Sequence, residues 1–245
     1  MKVAVVFGRF NPPTKGHSLL LEALDRYSQK GYEAILGLSH SENAPVDYRR
    51  AYRRTVDITD PEERAQILAS ELRNPLSYEE KRNFIEQIID QKGFNISLAD
   101  GEVRTVPDLF ISLATAGKKD ILLIAGSDRV SDFRELIERY NNTQPPNYQV
   151  TVKVVSAGDR DPDAEDIEGL SATKLRFFAA LGDFESFAAG VDTDNKDLAW
   201  DLYHAVANNM EIPQEFQTTG RAAKKRDAPI EEGVSDYINK SLYGF

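Results

Sequence analysis

Cysteine is absent from the 245 residues. That excludes disulfides, thiolate metal ligands and a cysteine nucleophile, and it agrees with a reducing compartment. Histidine is scarce: His17, His40 and His204 are the three in the chain, too few for a multi-histidine metal centre. No apolar run approaches the length needed to span a bilayer, and Met1-Lys2-Val3-Ala4-Val5-Val6 lacks the layout of a signal peptide. A cytoplasmic protein with no membrane partner is expected. Positive charge is in deficit, with 30 Lys and Arg against 40 Asp and Glu and a formal net charge of −10. Such a surface repels nucleic-acid phosphates over most of its area, so no nucleic-acid partner is expected. A local cluster of cations can still hold a small anion.

Apolar residues make up 41% and charged residues 29%, close to the globular average. The length suits one α/β domain with an appendage, or two small domains. Val3 to Phe7 is apolar on both faces, as a buried central parallel strand should be. A loop over 8–16 carries Pro12-Pro13, and a helix follows from about Gly16 to Gln29 with Leu19, Leu20, Leu21 and Leu24 inward. A second strand covers Ala34 to Leu38. Ser77 with Glu80 forms a capping box that opens a helix to about Gln91. A weak strand at Asn95 to Leu98, a helix from Pro107 to Ala116, a buried strand at Asp120 to Ala125, a helix over Val130 to Tyr140 and a strand over Gln149 to Val155 complete the alternation. This rhythm predicts an α/β, Rossmann-like, doubly wound parallel sheet of about five strands with a C-terminal helical extension.

Residues 41–73 interrupt the rhythm and read as an insertion over the top of the sheet. Asp60-Pro61-Glu62-Glu63 caps a helix there. Arg49, Arg50, Arg53 and Arg54 flank Tyr52 and read first as a solvated or intersubunit face paired with carboxylates; a lid over substrate phosphates is the alternative. Residues 157–169 are acidic and rich in turns, with Asp159, Asp161 and Asp163 spaced unlike a calcium loop. The division expected is a domain over 1–180, helices over 181–213, and a flexible linker and docking tail over 214–245, with apolar residues returning at Tyr237-Ile238 and Leu242 to Phe245.

Two stretches can carry chemistry. Gly8-Arg9-Phe10-Asn11-Pro12-Pro13-Thr14-Lys15-Gly16-His17 follows the first strand. Glycine there lets backbone approach a ligand, and Thr14 and His17 flank a helix start that favours an anion. His17 can donate to a phosphoryl oxygen as charge develops. The second is Ser171-Ala172-Thr173-Lys174-Leu175-Arg176, where Ser171 caps a helix and Arg176 follows one turn on. A plain N-cap with an exposed arginine would account for the second stretch alone.

Together, Thr14-x-Gly16-His17 and Ser171-x-Thr173-x-x-Arg176 resemble the two signatures of the nucleotidylyltransferase superfamily, and the chain is similar to nicotinamide mononucleotide adenylyltransferase-like proteins of tailed bacteriophages. Order, separation and the intervening Gly126-Ser127-Asp128 match; Leu170, Ala172 and Leu175 depart from the usual late signature. The resemblance implies attack of a phosphomonoester on the α-phosphate of ATP or CTP, with pyrophosphate leaving and Mg²⁺ carried on the phosphates. It implies catalytic roles for His17, Thr14 and Arg176. It implies nucleotide binding by Gly8, Arg9, Phe10, Asn11, Gly16, Gly126, Asp128, Ser171 and Thr173, with no protein-held metal. Asn74 and His40 fall where the acceptor would bind. Homo-oligomers are common among such proteins.

Adenylyl transfer to nicotinamide mononucleotide, giving NAD, is the expected function. Cytidylyl transfer to an alcohol phosphate, or a nucleotide-binding assembly module with little catalysis, are the alternatives. His204, among Leu198, Leu202 and Ala205, reads as structural, and Trp200 has no evident place near the site.

Overall fold

Val3–Gly8 forms β1, Lys15–Ser28 α1 and Glu33–Leu38 β2. Two helices follow, α2 (Pro45–Thr55) and α3 (Pro61–Glu71), and then α4 (Tyr78–Lys92). Next come β3 (Ser97–Leu98), α5 (Val106–Thr115), β4 (Asp120–Ala125), α6 (Val130–Thr143) and β5 (Thr151–Ser156). Three helices close the chain: α7 (Ala172–Leu181), α8 (Phe184–Ala189) and α9 (Lys196–Met210). The computed structural model describes residues 2–158 and 171–217. Asp159, Asp161, Asp163 and Leu170 therefore lie outside the described residues, as do the apolar residues at 237–245.

Among the described residues the strands form one parallel sheet in the order β3-β2-β1-β4-β5. This is the α/β, doubly wound arrangement, and winding reverses between β1 and β4, where their carboxyl ends part to make a crevice. Alternation along the central strands feeds two cores. Ala4, Val6, Leu122 and Ile124 face α1, α4, α7 and α9 through Leu24, Ile85, Leu175 and Leu202. Val3, Val5, Ile121 and Leu123 face α5 and α6 through Leu109, Phe110 and Tyr140. The alternation follows from the period of two along a strand, and burial on both sides explains why the strands read as unbroken apolar runs.

The interrupted segment differs most from its expectation. It holds two helices rather than one, and it seats against α7 and the C-terminal residues rather than over the sheet. α2 starts at Pro45 without a Ser, Thr, Asp or Asn cap; Asp47 reaches back to the Ala44 amide at 2.8 Å instead. The neck is pinched where Asn43 N–H donates to Asn74 O at 3.1 Å and Asn74 N–H donates to Asn43 Oδ1 at 2.9 Å. Tyr48 donates to Asn209 O at 3.0 Å and stacks on Phe216, within a short 3-10 turn at Gln214–Phe216 that opens the segment read as linker. Arg50 and Arg54 both grip Glu71, so half of the arginine cluster is paired with a carboxylate. β3 shortens to two residues. No helix among the described residues is long and apolar enough to cross a membrane.

Candidate active site

β1 delivers Gly8 to the crevice, and the chain then turns sharply into α1. Phe10 is fully buried in the left-handed region, at φ 46°. Its ring lies 4.5 Å from the His17 ring, and a Cβ on Gly8 would meet it at 2.6 Å. Glycine is therefore required at position 8 by the ring that supports His17. The imidazole is fixed from a second side. Thr14 N–H donates to His17 Nδ1 at 3.1 Å, and Thr14 Oγ1 lies 3.0 Å from the same nitrogen. A backbone N–H only donates, so Nδ1 is the unprotonated nitrogen and Nε2 carries the proton. Of the first amides of α1, Lys15 N–H donates to Gly190 O at 2.8 Å and His17 N–H to Thr14 O at 2.8 Å. Among the described residues no acceptor takes the Gly16 amide.

Gly8, Arg9, Gly16, His17, Gly126 and Asp128, all singled out from sequence, line one cavity of about 420 Å³. It spans the ends of β1, β4 and β5, at the reversal of winding. A Cβ on Gly126 would come within 2.7 Å of Asp128 Oδ1, so this glycine lets the carboxylate fold back toward the strand end. Phe133 and Leu136 of α6 give the cavity an apolar wall, suited to a flat ring.

The late stretch sits differently. Ser171 accepts from Lys174 N–H at 3.3 Å and starts α7. Arg176 is only 5% exposed. Its Nε donates to Ala69 O at 3.0 Å, Nη1 to Asn11 O at 2.9 Å and Nη2 to Thr173 Oγ1 at 3.0 Å. Three of five N–H bonds are thus spent on protein, and two have no partner among the described residues. Ala69 lies at the C-terminal end of α3, where the helix dipole is negative, so a cation is stabilised there without a carboxylate. Burial, and the positive charges of Arg9 and Arg73, bring its pKa down to about 10, and it stays cationic at neutral pH. Asn11, 3% exposed, gives Nδ2–H to Leu76 O and accepts from Leu76 N–H, both at 2.9 Å. It ties the β1 loop to the segment before α4 and does not line the cavity.

A residue that sequence reasoning missed lies beside the β1 loop without lining the cavity. Lys81 of α4 is 0% exposed, and among the described residues no carboxylate bonds it. Its Nζ donates to Ser39 O, and to Ser41 O at 3.3 Å, just past β2. Burial brings its pKa down to about 8, with Glu42 raising it and Arg9 lowering it. Ser39 N–H in turn donates to Gly8 O at 2.9 Å, which sets Lys81 beside the β1 loop. The signal was available: 81, 84, 85 and 88 share one buried helix face, and a lysine among Phe84, Ile85 and Ile88 is out of place there. His40 follows on the same edge, stacked on Tyr78 at 3.8 Å, with Nε2 buried and unpartnered. Burial, with Arg104 and Lys81 nearby, pulls its pKa below the ordinary value. Asn74 stands apart at the neck of the α2–α3 hairpin. Trp200 and His204 are in ring contact with each other on α9, away from all of this.

No protein-family model matches the chain, and no curated protein does. Among solved structures, one similar chain is a provisionally assigned nicotinate-nucleotide adenylyltransferase from Vibrio parahaemolyticus. The two are 17% identical with a TM-score of 0.48, and the match covers 82% of this chain and 98% of that one.

Proposed function

We propose that the chain is a nucleotidyltransferase, moving a nucleoside monophosphate from a nucleoside triphosphate to a phosphomonoester with release of pyrophosphate. Adenylyl transfer to nicotinamide mononucleotide is the form we favour. The observation that carries the reading is the fixed imidazole of His17: Thr14 N–H holds Nδ1, and the ring lines the same cavity as Gly8, Gly16 and Asp128. The triphosphate lies over the start of α1, where Gly16 N–H and the Nε2–H of His17 meet the α-phosphoryl oxygens. Lys81 and Arg9 hold the acceptor phosphate on the β2 side. Arg176, with two N–H bonds to spare, and Thr173 hold the β- and γ-phosphates.

An acceptor phosphate oxygen bonds to the α-phosphorus as the α–β bridging bond breaks, and its electron pair leaves with pyrophosphate. The acceptor is already anionic, so no base is needed. The chain supplies position and charge. A magnesium ion fits as a passenger on phosphate oxygens, since Arg9, Arg129 and His17 line the cavity and, among the described residues, Asp128 is the one carboxylate that does. When bound, it neutralises triphosphate charge.

The test is pyrophosphate release with Mg²⁺, ATP or CTP, and a panel of phosphomonoesters including nicotinamide mononucleotide. Release that depends on one acceptor names the substrate. His17→Ala is expected to lower turnover about 10²-fold or more while changing ATP affinity far less. Equal turnover in the two proteins sinks the assignment.

A further inference from the structure

α3 ends at Glu71, and Leu72 leaves the helix with φ −92° and ψ 71°. The carbonyl of Ala69, opened by that exit, accepts from Arg176 Nε instead of from a following amide. Arg73 therefore emerges one turn beyond the carbonyl that Arg176 occupies. Its side chain is exposed. Nε donates to Ser70 O at 3.0 Å, and among the described residues no carboxylate pairs with it. It lines a cavity of about 500 Å³ with Asn43, Asp47, Arg50, Glu71 and Asn74. Both carboxylates there are engaged: Glu71 by Arg50 and Arg54, Asp47 by Arg50 and the Ala44 amide. Asn43 Nδ2 is buried beside the Tyr48 hydroxyl and, among the described residues, completes no hydrogen bond of ordinary length. The cavity thus offers an unpaired guanidinium and an unused amide donor, a set suited to an anion.

We propose that this cavity takes the pyrophosphate end of the nucleotide, with Arg73 and Asn43 Nδ2 binding the terminal phosphoryl group as it leaves. The inference rests on the transferase reading above. The cations then form a path whose order follows from hydrogen bonds. Lys81 connects through Ser39 to the Gly8–Arg9 turn, Arg176 bonds Asn11 on that turn and Ala69 on α3, and Arg73 ends it. In this reading the inserted hairpin is a wall of the phosphate track. Its arginine acts on the leaving group and leaves the acceptor untouched.

The experiment is equilibrium binding of inorganic pyrophosphate with Mg²⁺ to the full chain, its Arg73→Gln variant and its Arg73→Lys variant, with AMP as the control ligand. Arg73→Gln is expected to weaken pyrophosphate binding about tenfold and to leave AMP affinity unchanged. Arg73→Lys is expected to recover part of the loss, keeping charge without the planar fork. Pyrophosphate binding equal to wild type in Arg73→Gln overturns the inference, and so does a parallel loss of AMP affinity. A wild-type chain that shows the tenfold difference yet releases no pyrophosphate from any triphosphate overturns the transferase reading and leaves this site standing.

Discussion

Two groups of cations in this molecule solve the same problem in opposite ways. On α2, Arg50 and Arg54 are about half exposed and both close on Glu71. At the carboxyl edge of the sheet, Arg176 and Lys81 are buried; Arg176 rests on two carbonyls and a hydroxyl, Lys81 on two carbonyls, and among the described residues no carboxylate bonds either. A carboxylate cancels a cation, whereas carbonyl dipoles solvate it and leave its charge in place. The first arrangement fastens a surface. The second stores positive potential where a polyanion can use it, at the cost of burying charge. The difference teaches which arginines of an acidic protein to suspect: those buried without a carboxylate partner.

Arg176→Met breaks that comparison hardest. It strands Ala69 O and Asn11 O while the exposed Thr173 Oγ1 turns to water, and unpaired buried acceptors cost about 1–3 kcal/mol each. We expect a stability loss of about 3 kcal/mol or more in urea unfolding and no measurable pyrophosphate release. Arg176→Lys keeps the charge with fewer directed donors. It is expected to recover nucleotide binding before it recovers stability. Full stability in Arg176→Met would show that the three-way junction is incidental.

The contrast also marks what the sequence could disclose. β4 stands at its expected bounds, because Ile121 to Ile124 is an unbroken apolar run between Asp120 and Gly126. α4 opens on its capping box, with Ser77 and Glu80 bonded reciprocally. α2 escaped notice because its buried face amounts to Ala51 and Thr55, too little for a periodic signal, and its cap is supplied from inside by Asp47. In the site, six residues chosen for their place after β1 and β4 do meet in one cavity. Phe10 and Asn11 were chosen for ligand contact and are found buried in the turn, while Arg176 is buried with part of its guanidinium bonded to that turn. Local motifs report which segments gather. Which side chain faces inward depends on packing against elements 65 to 165 residues away, as Asn11 with Leu76 and with Arg176 illustrates.

Lys81 sharpens the comparison through pH. Its folded pKa, about 8, lies below the ordinary 10.5. Between those values the unfolded chain keeps the proton that the folded chain has lost. Unfolding then binds protons, so this residue makes stability rise with pH across that window and contributes no slope below it. Ligand binding runs the other way, since the deprotonated amine no longer attracts an acceptor phosphate. We expect the acceptor KM to rise roughly tenfold once pH passes through the lysine's folded pKa. In Lys81→Met both the stability slope and the KM slope should vanish, leaving a KM high at every pH. A KM that is flat with pH in the wild type would remove Lys81 from the acceptor site.

Glu71→Gln probes the other side and should do least. The carboxylate is 9% exposed while its two arginines are about half in water, so solvent screens most of what the pairs contribute. A melting temperature lower by only about 2–4 °C is expected, with no loss of turnover, since the variant removes a negative charge from the cavity assigned to pyrophosphate and no cation. The acid limb carries the finer signature. Burial raises the pKa of Glu71, but the bonds from Arg50 and Arg54 outweigh it and hold the carboxyl below its ordinary value. That stabilisation is present above the unfolded value and is lost as pH falls through the folded one. The glutamine variant should therefore unfold with a shallower acid limb than the wild type. If it instead lost turnover at neutral pH, the arginines of α2 would belong with Arg176 and Lys81, and the distinction between fastening and charge storage would fail.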